Sequence, residues 1–264
     1  SHDARIFLKE CVSLANNNYE VSYIVANAKT EKINKVFIKG VSSPVKNRVG
    51  RVFKTVYKVY KEAKKENANV YHLHDPELLL IALFLKSKNS KVVYDSHEDL
   101  PRQLLAKFWI PLPLRKVLSV LTELFENFIA KRIDGVIAAT PFIRDRFLKI
   151  NSNTIDINNY PIIKELITSE NTEQKENSVF YVGGVTRVRG IVELVKSLEL
   201  CKEPVKLNLA GIFAPTELFD EIKQLKGWEK VNYKGFVDRV ELKQLLFSSK
   251  AGVVTLYPTI NYLD

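Results

Sequence analysis

The residues best suited to binding an anion lie in one stretch of the chain, SVFYVGGVTRVRGIVELV. A short apolar run ends at Gly183 and Gly184, Arg187 and Arg189 follow, and helical spacing then begins. Glycines let backbone N–H groups approach a phosphate, a helix N-terminus favours negative charge, and a guanidinium binds two phosphate oxygens at once. The pattern predicts a phosphate-binding turn. An ordinary strand-to-helix turn with two solvated arginines is the alternative.

A histidine holds the second position suited to chemistry. His97 follows a short apolar strand at residues 91–95, in the sequence KVVYDSHED. Ligands of open α/β sheets bind beyond the carboxyl ends of the strands, so this position predicts a functional side chain. The alternative is a loop histidine bonded to a neighbouring carboxylate such as Glu98. We assign His72, within the preceding strand, to packing.

Alternating strand and helix patterns must position these residues. The first half predicts strands at residues 69–74, 91–95 and 136–139, and two of its helices open with Asp75-Pro76 and Thr140-Pro141 as caps. After a polar stretch the alternation resumes, with strands at 179–182, 205–210, 231–235 and 251–257. This order is typical of parallel, doubly wound sheets.

We therefore predict an α/β protein of two Rossmann-like domains. The N-terminal domain covers residues 1–163, a linker covers 164–177, and the C-terminal domain covers 178–264. A complete Rossmann-like domain has about six strands, so the second domain is expected to be incomplete. The sequence also contains no methionine. Both observations predict that the chain is a piece of a longer protein.

Composition limits the classes of protein to consider. The chain has 264 residues, is 46% hydrophobic and has a mean hydropathy of -0.10, which fits two folded domains. It has no apolar run of about 18 residues that could span a membrane. Cys11 and Cys201 are too few for a disulfide framework, which favours the cytoplasm.

The net charge of +10 arises in the first 164 residues. Such asymmetry predicts a polyanionic neighbour, namely nucleic acid, an anionic membrane surface or a phosphorylated acceptor, while mere solubility is the alternative. An amphipathic pattern over residues 114–133 follows Lys107, Phe108 and Trp109. This segment is either an interfacial membrane element or, as we favour, a core helix with a packed aromatic loop.

These motifs, in this order, resemble those of glycosyltransferase family 4, whose fold is GT-B. YVGGVTRVRGIVELV resembles the family's glycine and basic-residue signature, LNLAGIF its strand and Ala-Gly turn, and YKGFVDRVELKQLLFSSKAGVVTLYPT its Gly-Phe-Val segment. YHLHDPELL and VVYDSHEDLP resemble the loops that line the cleft. The resemblance covers essentially the whole chain and implies two Rossmann-like domains with a deep cleft between them.

The resemblance also implies roles for particular residues. Arg189 stands where the family has the lysine that binds the donor diphosphate. Gly183 is expected to contact the same diphosphate. Gly184 replaces an expected arginine, and Arg187 is expected to substitute for it. His97 is similar in position to the family's cleft histidine and is the implied catalytic residue.

Two further sites are implied in the same way. His74 and Asp75 match a loop that places the acceptor. Gly235, Phe236 and Val237 fall where backbone groups contact the nucleotide base. A pair of glutamates that the family carries would follow after Asp264, beyond this sequence.

The implied activity is retaining transfer of a sugar from a UDP- or GDP-linked donor to a glycan acceptor. We expect no metal and no cofactor, because no DxD-like motif follows a strand. The basic first half suits a polyprenyl-linked acceptor in surface polysaccharide synthesis and an anionic membrane surface as partner. We expect no nucleic acid as partner, because most tyrosines and phenylalanines fall on faces predicted to be buried. The protein is expected in the cytoplasm, at the inner face of the plasma membrane. A GT-B sugar-nucleotide epimerase and an inactive GT-B binding protein remain alternatives.

Overall fold

The computed structural model describes residues 3–43, 51–107, 109–163 and 175–259. It divides into two compact units, with the boundary between Tyr160 and Pro161. Most of the predicted linker, residues 164–174, lies outside the described residues, as does Phe108. Each unit is described separately below.

The described part of the first unit contains seven strands, three in one sheet and four in another, with helices between them. In chain order its elements are α1 (a π-helical segment Ala4–Cys11 that continues as Val12–Asn16), β1 (Ser22–Ala26), β2 (Glu31–Ile33), β3 (Val36–Val41), α2 (a π-helical segment Arg51–Thr55 and Val56–Glu66), β4 (Val70–Leu73), α3 (a 3₁₀ turn Pro76–Leu78 and Leu79–Leu85), β5 (Lys91–Ser96), α4 (Leu100–Ala106), α5 (Leu112–Ala130), β6 (Gly135–Ala138), α6 (Pro141–Leu148) and β7 (Thr154–Asp156).

The strands of the first unit form two sheets. Strands β4, β5, β6 and β7 lie in that order and are all parallel, which confirms the predicted α/β class. The other sheet has the order β1-β3-β2, in which β1 and β3 are parallel and β2 and β3 are antiparallel. The sequence analysis predicted neither β2, which has three residues, nor β3, whose apolar run is interrupted by Lys39 and Gly40.

Separate apolar clusters support the two sheets. α1 packs on the three-stranded sheet through Phe7 and Cys11, which join Val36 and Ile38 in one cluster. The four-stranded sheet buries Tyr94 against Phe147 and neighbouring aliphatic side chains. Ile24 of β1 packs against the cluster of the four-stranded sheet, so apolar contact also links the two sheets.

The second unit contains a single parallel sheet with the order β10-β9-β8-β11. Its elements are β8 (Glu176–Val182), a 3₁₀ turn (Arg187–Arg189), α7 (Ile191–Leu200), β9 (Lys206–Ala210), α8 (Glu217–Lys223), a 3₁₀ turn (Lys226–Lys230), β10 (Val231–Gly235), α9 (Arg239–Ser248) and β11 (Ser249–Gly252). The four predicted strands are present in the predicted order. The last one ends five residues earlier than predicted.

Helix capping follows the sequence with one exception. The Thr140 side chain caps α6 by accepting from the Ile143 N–H, and Asp238 forms a complete capping box with Glu241 at α9. Asp75 occupies the cap position of α3, but its side chain makes no capping hydrogen bond. The prediction is therefore correct about the position of Asp75 but not about a capping hydrogen bond from its side chain.

Helix α5 turns a polar residue inward and much of its apolar surface outward. Glu126 is fully buried, where its carboxylate accepts from Arg146 Nη2 at 2.8 Å and from the Tyr94 hydroxyl at 3.3 Å. Many apolar side chains of the helix are exposed: Leu112, Leu114, Val117, Val120, Leu121, Leu124 and Phe128. Trp109, just before the helix, is 61% exposed, so the favoured prediction of a packed aromatic loop is wrong there.

None of the described helices is both long enough and apolar enough to cross a membrane. The apolar side chains exposed on α5 lie mainly on one side of the helix, and Glu126 on the other side contacts Tyr94 of the sheet.

Replacing Glu126 with alanine should lower the free energy of unfolding by about 3–5 kcal/mol, because it leaves the largely buried Arg146 guanidinium without its closest carboxylate. Urea unfolding followed by circular dichroism measures this. The matched control is Glu62→Ala, which removes a solvent-exposed ion pair with Lys65 and should cost about 0.5 kcal/mol or less. Equal losses for the two variants would contradict the structural role of Glu126.

Candidate functional site

Four polar side chains project from one side of the four-stranded sheet. Strands β4 and β5 are paired so that His72 lies opposite Val93, which places His74 beside Asp95 two residues further on. Side chains two residues apart on a strand point to the same side, so His72, His74, Asp95 and His97 share one face near the carboxyl ends of β4 and β5. The register of β4 and β5, continued one residue beyond the end of each strand, brings these four side chains together.

Asp95 lies at the centre of this group. Its side chain is 1% exposed, and its Oδ1 lies 3.3 Å from His97 Nδ1. Its Oδ2 lies 3.5 Å from His74 Nδ1 and 3.9 Å from His72 Nε2. The His74 and His97 rings are stacked, with centroids 5.4 Å apart. One buried carboxylate therefore contacts all three imidazoles.

Helix α1 adds a cation and a second carboxylate. Arg5 Nη2 donates to both oxygens of Asp95, at 3.0 and 3.2 Å, and Arg5 Nε donates to Glu10 Oε1 at 3.1 Å. Glu10 Oε2 lies 3.6 Å from His74 Nδ1. Arg5 and Glu10 are five residues apart, and the π-helical winding of this segment places them on one side. We call Arg5, Glu10, His72, His74, Asp95 and His97 the Asp95 cluster.

The pKa values in the Asp95 cluster depart from their ordinary values for identifiable reasons. Burial raises the pKa of Glu10 to about 7, and the nearby Asp95 charge adds to this. Burial, with the neighbouring His74, lowers the pKa of His72 to about 4. Burial opposes ionisation of Asp95, but its contacts with His74, His97 and Arg5 outweigh this and hold its pKa well below the usual range.

His97 shows the opposite balance. Burial lowers its pKa, but the contact with the Asp95 carboxylate and the charge of that group outweigh burial, so the net pKa is raised. The carboxylate beside His97 is therefore Asp95, whereas the sequence analysis suggested Glu98. The Glu98 side chain accepts a hydrogen bond from Gln103 instead.

The cluster contains two predicted site residues and four that the sequence analysis missed. His74 and His97 were predicted. Asp95, Glu10 and Arg5 were not, and His72 was assigned to packing. The patterns His-x-His and Asp-x-His on successive strands carried a usable signal, because both have the period of two that places side chains on one face. Nothing in the sequence identified Arg5 and Glu10.

Asp75 takes no part in the hydrogen bonds and ion pairs of the Asp95 cluster. Burial raises the pKa of its carboxyl group, and the charge of Glu77 adds to this. The acceptor role that the resemblance implies for Asp75 stays a prediction.

The predicted phosphate-binding turn in the second unit has two closely packed glycines. Gly183 adopts φ +153° and Gly211 adopts φ +144°, and a Cβ on Gly211 would lie 1.8 Å from the Gly183 carbonyl oxygen. No larger residue fits where these two backbones approach each other. The Tyr181 hydroxyl donates to the Gly184 carbonyl at 2.9 Å and fixes the next residue of the turn.

A 3₁₀ turn then leads into α7. The Thr186 side chain accepts from the Arg189 N–H at 3.3 Å, and Gly190 adopts φ +65° at the junction with the helix. The Thr255 hydroxyl donates to the Arg189 carbonyl at 2.6 Å. The backbone around Arg189 is thus held from both sides, at the positive end of the α7 dipole.

The two arginines of the turn differ in their surroundings. Arg187 is exposed and forms an ion pair with Glu221 of α8. Arg189 is half-buried. Because Arg187 is paired with a carboxylate, its predicted substitution for the arginine missing at Gly184 requires that this ion pair open.

The residues predicted to contact a nucleotide base lie next to this turn. The Gly235 carbonyl accepts from the Gly211 N–H at 2.7 Å, which joins the end of β10 to the paired glycines. Phe236 is 77% exposed, and Gly235 adopts φ +67°. The structure therefore brings Gly235 to the same edge of the sheet as Gly183. Base contacts by Gly235, Phe236 and Val237 stay a prediction.

Replacing Gly190 with alanine should lower the free energy of unfolding by about 1–2 kcal/mol, because a non-glycine residue is strained at this positive φ. The added Cβ would also lie 3.1 Å from Thr255 Cβ. Gly184→Ala is the matched control, since its Cβ would meet only Thr186 Cγ2 at 3.9 Å. Urea unfolding of both variants tests this, and a larger loss for Gly184→Ala would refute it.

Comparisons with known proteins agree with this architecture. Sucrose-phosphate synthase from Thermosynechococcus elongatus superposes with a TM-score of 0.75, at 16% identity over 98% of this chain and 71% of that one. WaaG, a glycosyltransferase involved in lipopolysaccharide biosynthesis, gives a TM-score of 0.70 at 12% identity over 96% of this chain and 71% of that one. These likenesses show the GT-B fold.

Two shorter matches complete the comparison. Anabaena HepE, solved with UDP-glucose, gives a TM-score of 0.60 at 18% identity over 84% of this chain and 61% of that one. A curated chaperone protein DnaK from Mycoplasma mycoides subsp. mycoides SC is 41% identical over 78 residues, which are 29% of this chain. The match spans only 13% of that protein, so it does not place the chain in the chaperone family.

The family model for Glycosyltransferase Family 4 matches residues 5–157, which include the whole Asp95 cluster. The chain belongs to glycosyltransferase family 4.

Proposed function

We propose that the protein transfers a sugar from a UDP- or GDP-linked donor to a glycan acceptor, with retention of configuration. One observation carries the proposal: in a family 4 chain, the turn from Gly183 to Gly190 is held rigid at the N-terminus of α7, with Arg189 in it. HepE has been solved with UDP-glucose, which supports a sugar nucleotide as the ligand.

The second unit would hold the donor diphosphate. A leaving nucleoside diphosphate gains negative charge, and a helix N-terminus together with a guanidinium can stabilise that charge without a metal ion. Gly183 and Gly184 have no side chains that would keep the diphosphate away from the backbone, while Arg187 and Arg189 supply the positive charge. We therefore propose that the transfer step needs no metal at the diphosphate.

The first unit would supply the catalytic histidine. His97 is oriented through its Nδ1 by the buried Asp95, which leaves Nε2 for contact with a substrate. Both ring nitrogens of His97 are buried and have no hydrogen-bond partner among the described residues, so Asp95 acts on Nδ1 through an ion-pair contact at 3.3 Å. An unpaired buried imidazole nitrogen is costly unless a ligand satisfies it.

A surface of α5 supports a lipid-linked acceptor. Its exposed leucine, valine and phenylalanine side chains form an apolar strip, and Lys116 and Arg132 lie along the same helix and just after its end. Apolar side chains beside cations are suited to the interface of an anionic bilayer. We propose that the protein attaches peripherally to such a membrane and acts on a polyprenyl-linked glycan there.

Donor binding is tested by thermal unfolding with UDP-, GDP- and ADP-sugars. One of the first two should raise the melting temperature, and Arg189→Ala should weaken its binding about 10-fold to 100-fold, since a hydrogen bond to a charged group contributes about 1.5–3 kcal/mol. Lys202→Ala, at an exposed site beyond α7, is the control. Failure of every nucleotide to stabilise the chain would argue against the proposal.

A transferase is distinguished from the two alternatives by its products. With a radiolabelled sugar nucleotide, a transferase needs an acceptor, whereas an epimerase converts the donor alone and an inactive binding protein releases no product. We expect acceptor-dependent turnover, and His97→Gln should reduce it at least 100-fold while retaining donor stabilisation. Conversion of donor without acceptor would favour the epimerase.

Membrane attachment is tested by flotation with vesicles that contain anionic lipid. The double variant Leu121→Asp/Leu124→Asp should lose most vesicle binding, because it places two charges in the apolar strip of α5. Leu200→Asp is the control, since Leu200 is 83% exposed on α7 and lies outside the strip. Equal binding by the double variant and the unmodified chain would contradict peripheral attachment through α5.

A further inference from the structure

Four metal-ligating side chains converge inside the Asp95 cluster. Glu10, His72, His74 and Asp95 each present one nitrogen or oxygen atom, and these four atoms all lie within 4.8 Å of one another. His74 Nδ1 lies 3.5 Å from Asp95 Oδ2 and 3.6 Å from Glu10 Oε2. His72 Nε2 lies 3.9 Å from Asp95 Oδ2.

Three of these four atoms lack the partner that a buried polar atom requires. Glu10 Oε2, His72 Nε2 and His74 Nδ1 are shielded from solvent and make no hydrogen bond among the described residues. Leaving such atoms unsatisfied costs about 1–3 kcal/mol each. The separations are too long for hydrogen bonds but match the spacing between ligands around a common centre.

The carboxylates are held from behind in the orientation that a metal site needs. Arg5 Nε binds Glu10 Oε1, which turns Glu10 Oε2 towards His74. Arg5 Nη2 contacts both oxygens of Asp95, and His97 Nδ1 lies against Oδ1, so Oδ2 faces His72 and His74. Outer hydrogen bonds of this kind commonly orient the ligands of a metal.

We propose that Glu10 Oε2, His72 Nε2, His74 Nδ1 and Asp95 Oδ2 bind a zinc ion. Two imidazole nitrogens with two carboxylate oxygens favour zinc over magnesium or calcium, which prefer all-oxygen sites. Zinc bonds of about 2.1 Å in a tetrahedron place the ligand atoms about 3.4 Å apart. The separations of 3.5, 3.6 and 3.9 Å approach that value, and zinc binding would draw the four atoms together from at most 4.8 Å.

His97 is not a ligand in this arrangement, but the zinc acts on it through Asp95. The metal fixes Asp95 Oδ2, while Oδ1 stays with His97 Nδ1 and Arg5. Zinc is thus a positioning group for His97, and its binding depends only on residues of the first unit.

The test is metal binding by the full chain after treatment with EDTA and dialysis. Calorimetric titration with ZnCl₂ should show one zinc per chain, and CoCl₂ should give the strong visible absorption of tetrahedral cobalt. His72→Ala, His74→Ala and the isosteric Glu10→Gln should each weaken zinc binding at least about 100-fold. Circular dichroism shows whether each variant is folded, and Glu10→Gln keeps the test valid if the histidine variants are not.

Of the other two histidines in the chain, His2 is the control, and His2→Ala should retain one zinc with unchanged affinity. His97→Gln removes a contact to the ligand Asp95, so it should retain one zinc and weaken its binding less than the ligand variants do. The proposal is overturned if the EDTA-treated chain binds no zinc, if Glu10→Gln and both histidine variants bind it as tightly as the unmodified chain, or if His2→Ala abolishes binding. In each case the Asp95 cluster would be a network of ion pairs alone.

Discussion

The buried carboxylate of Asp95 is the constraint on which the first unit depends. A carboxylate that is 1% exposed must be compensated by cations or donors, because burial of an unpaired charge costs several kcal/mol. Arg5 of α1, His74 after β4 and His97 after β5 provide that compensation. Moving α1, or the residues that follow β4 and β5, would remove part of the compensation of the buried Asp95 charge.

The same contact joins the two cores of the first unit. α1 packs on the three-stranded sheet, whereas Asp95 ends a strand of the four-stranded sheet, and no buried apolar cluster contains both. Arg5 bridges them through its two bonds to Asp95 and its bond to Glu10. These polar contacts link α1 to β5, in addition to the apolar contact that Ile24 of β1 makes with the larger cluster. The candidate catalytic histidine, His97, lies against the same Asp95 carboxylate.

The sequence predicted the features that depend on local spacing. Strands β4, β5 and β6, the four strands of the second unit and the glycine turn all follow from apolar runs, capping residues and glycines read over a few positions. The chain's membership of glycosyltransferase family 4 agrees with the resemblance of its motifs. Strands β2 and β3 were missed because their pairing depends on residues elsewhere. Arg5 and Glu10 were missed because 90 residues separate Arg5 from its partner Asp95.

Helix α5 shows why periodicity can predict a helix and still misplace its surface. Its spacing is amphipathic, and such a pattern normally indicates that the apolar side faces the core. Here the buried residues are Ser119, Glu126, Ile129 and Ala130, with the Glu126 carboxylate satisfied by Arg146 and Tyr94, while many of the leucines and valines are exposed. A sequence pattern records which residues share a side, but not where the compensating charge lies.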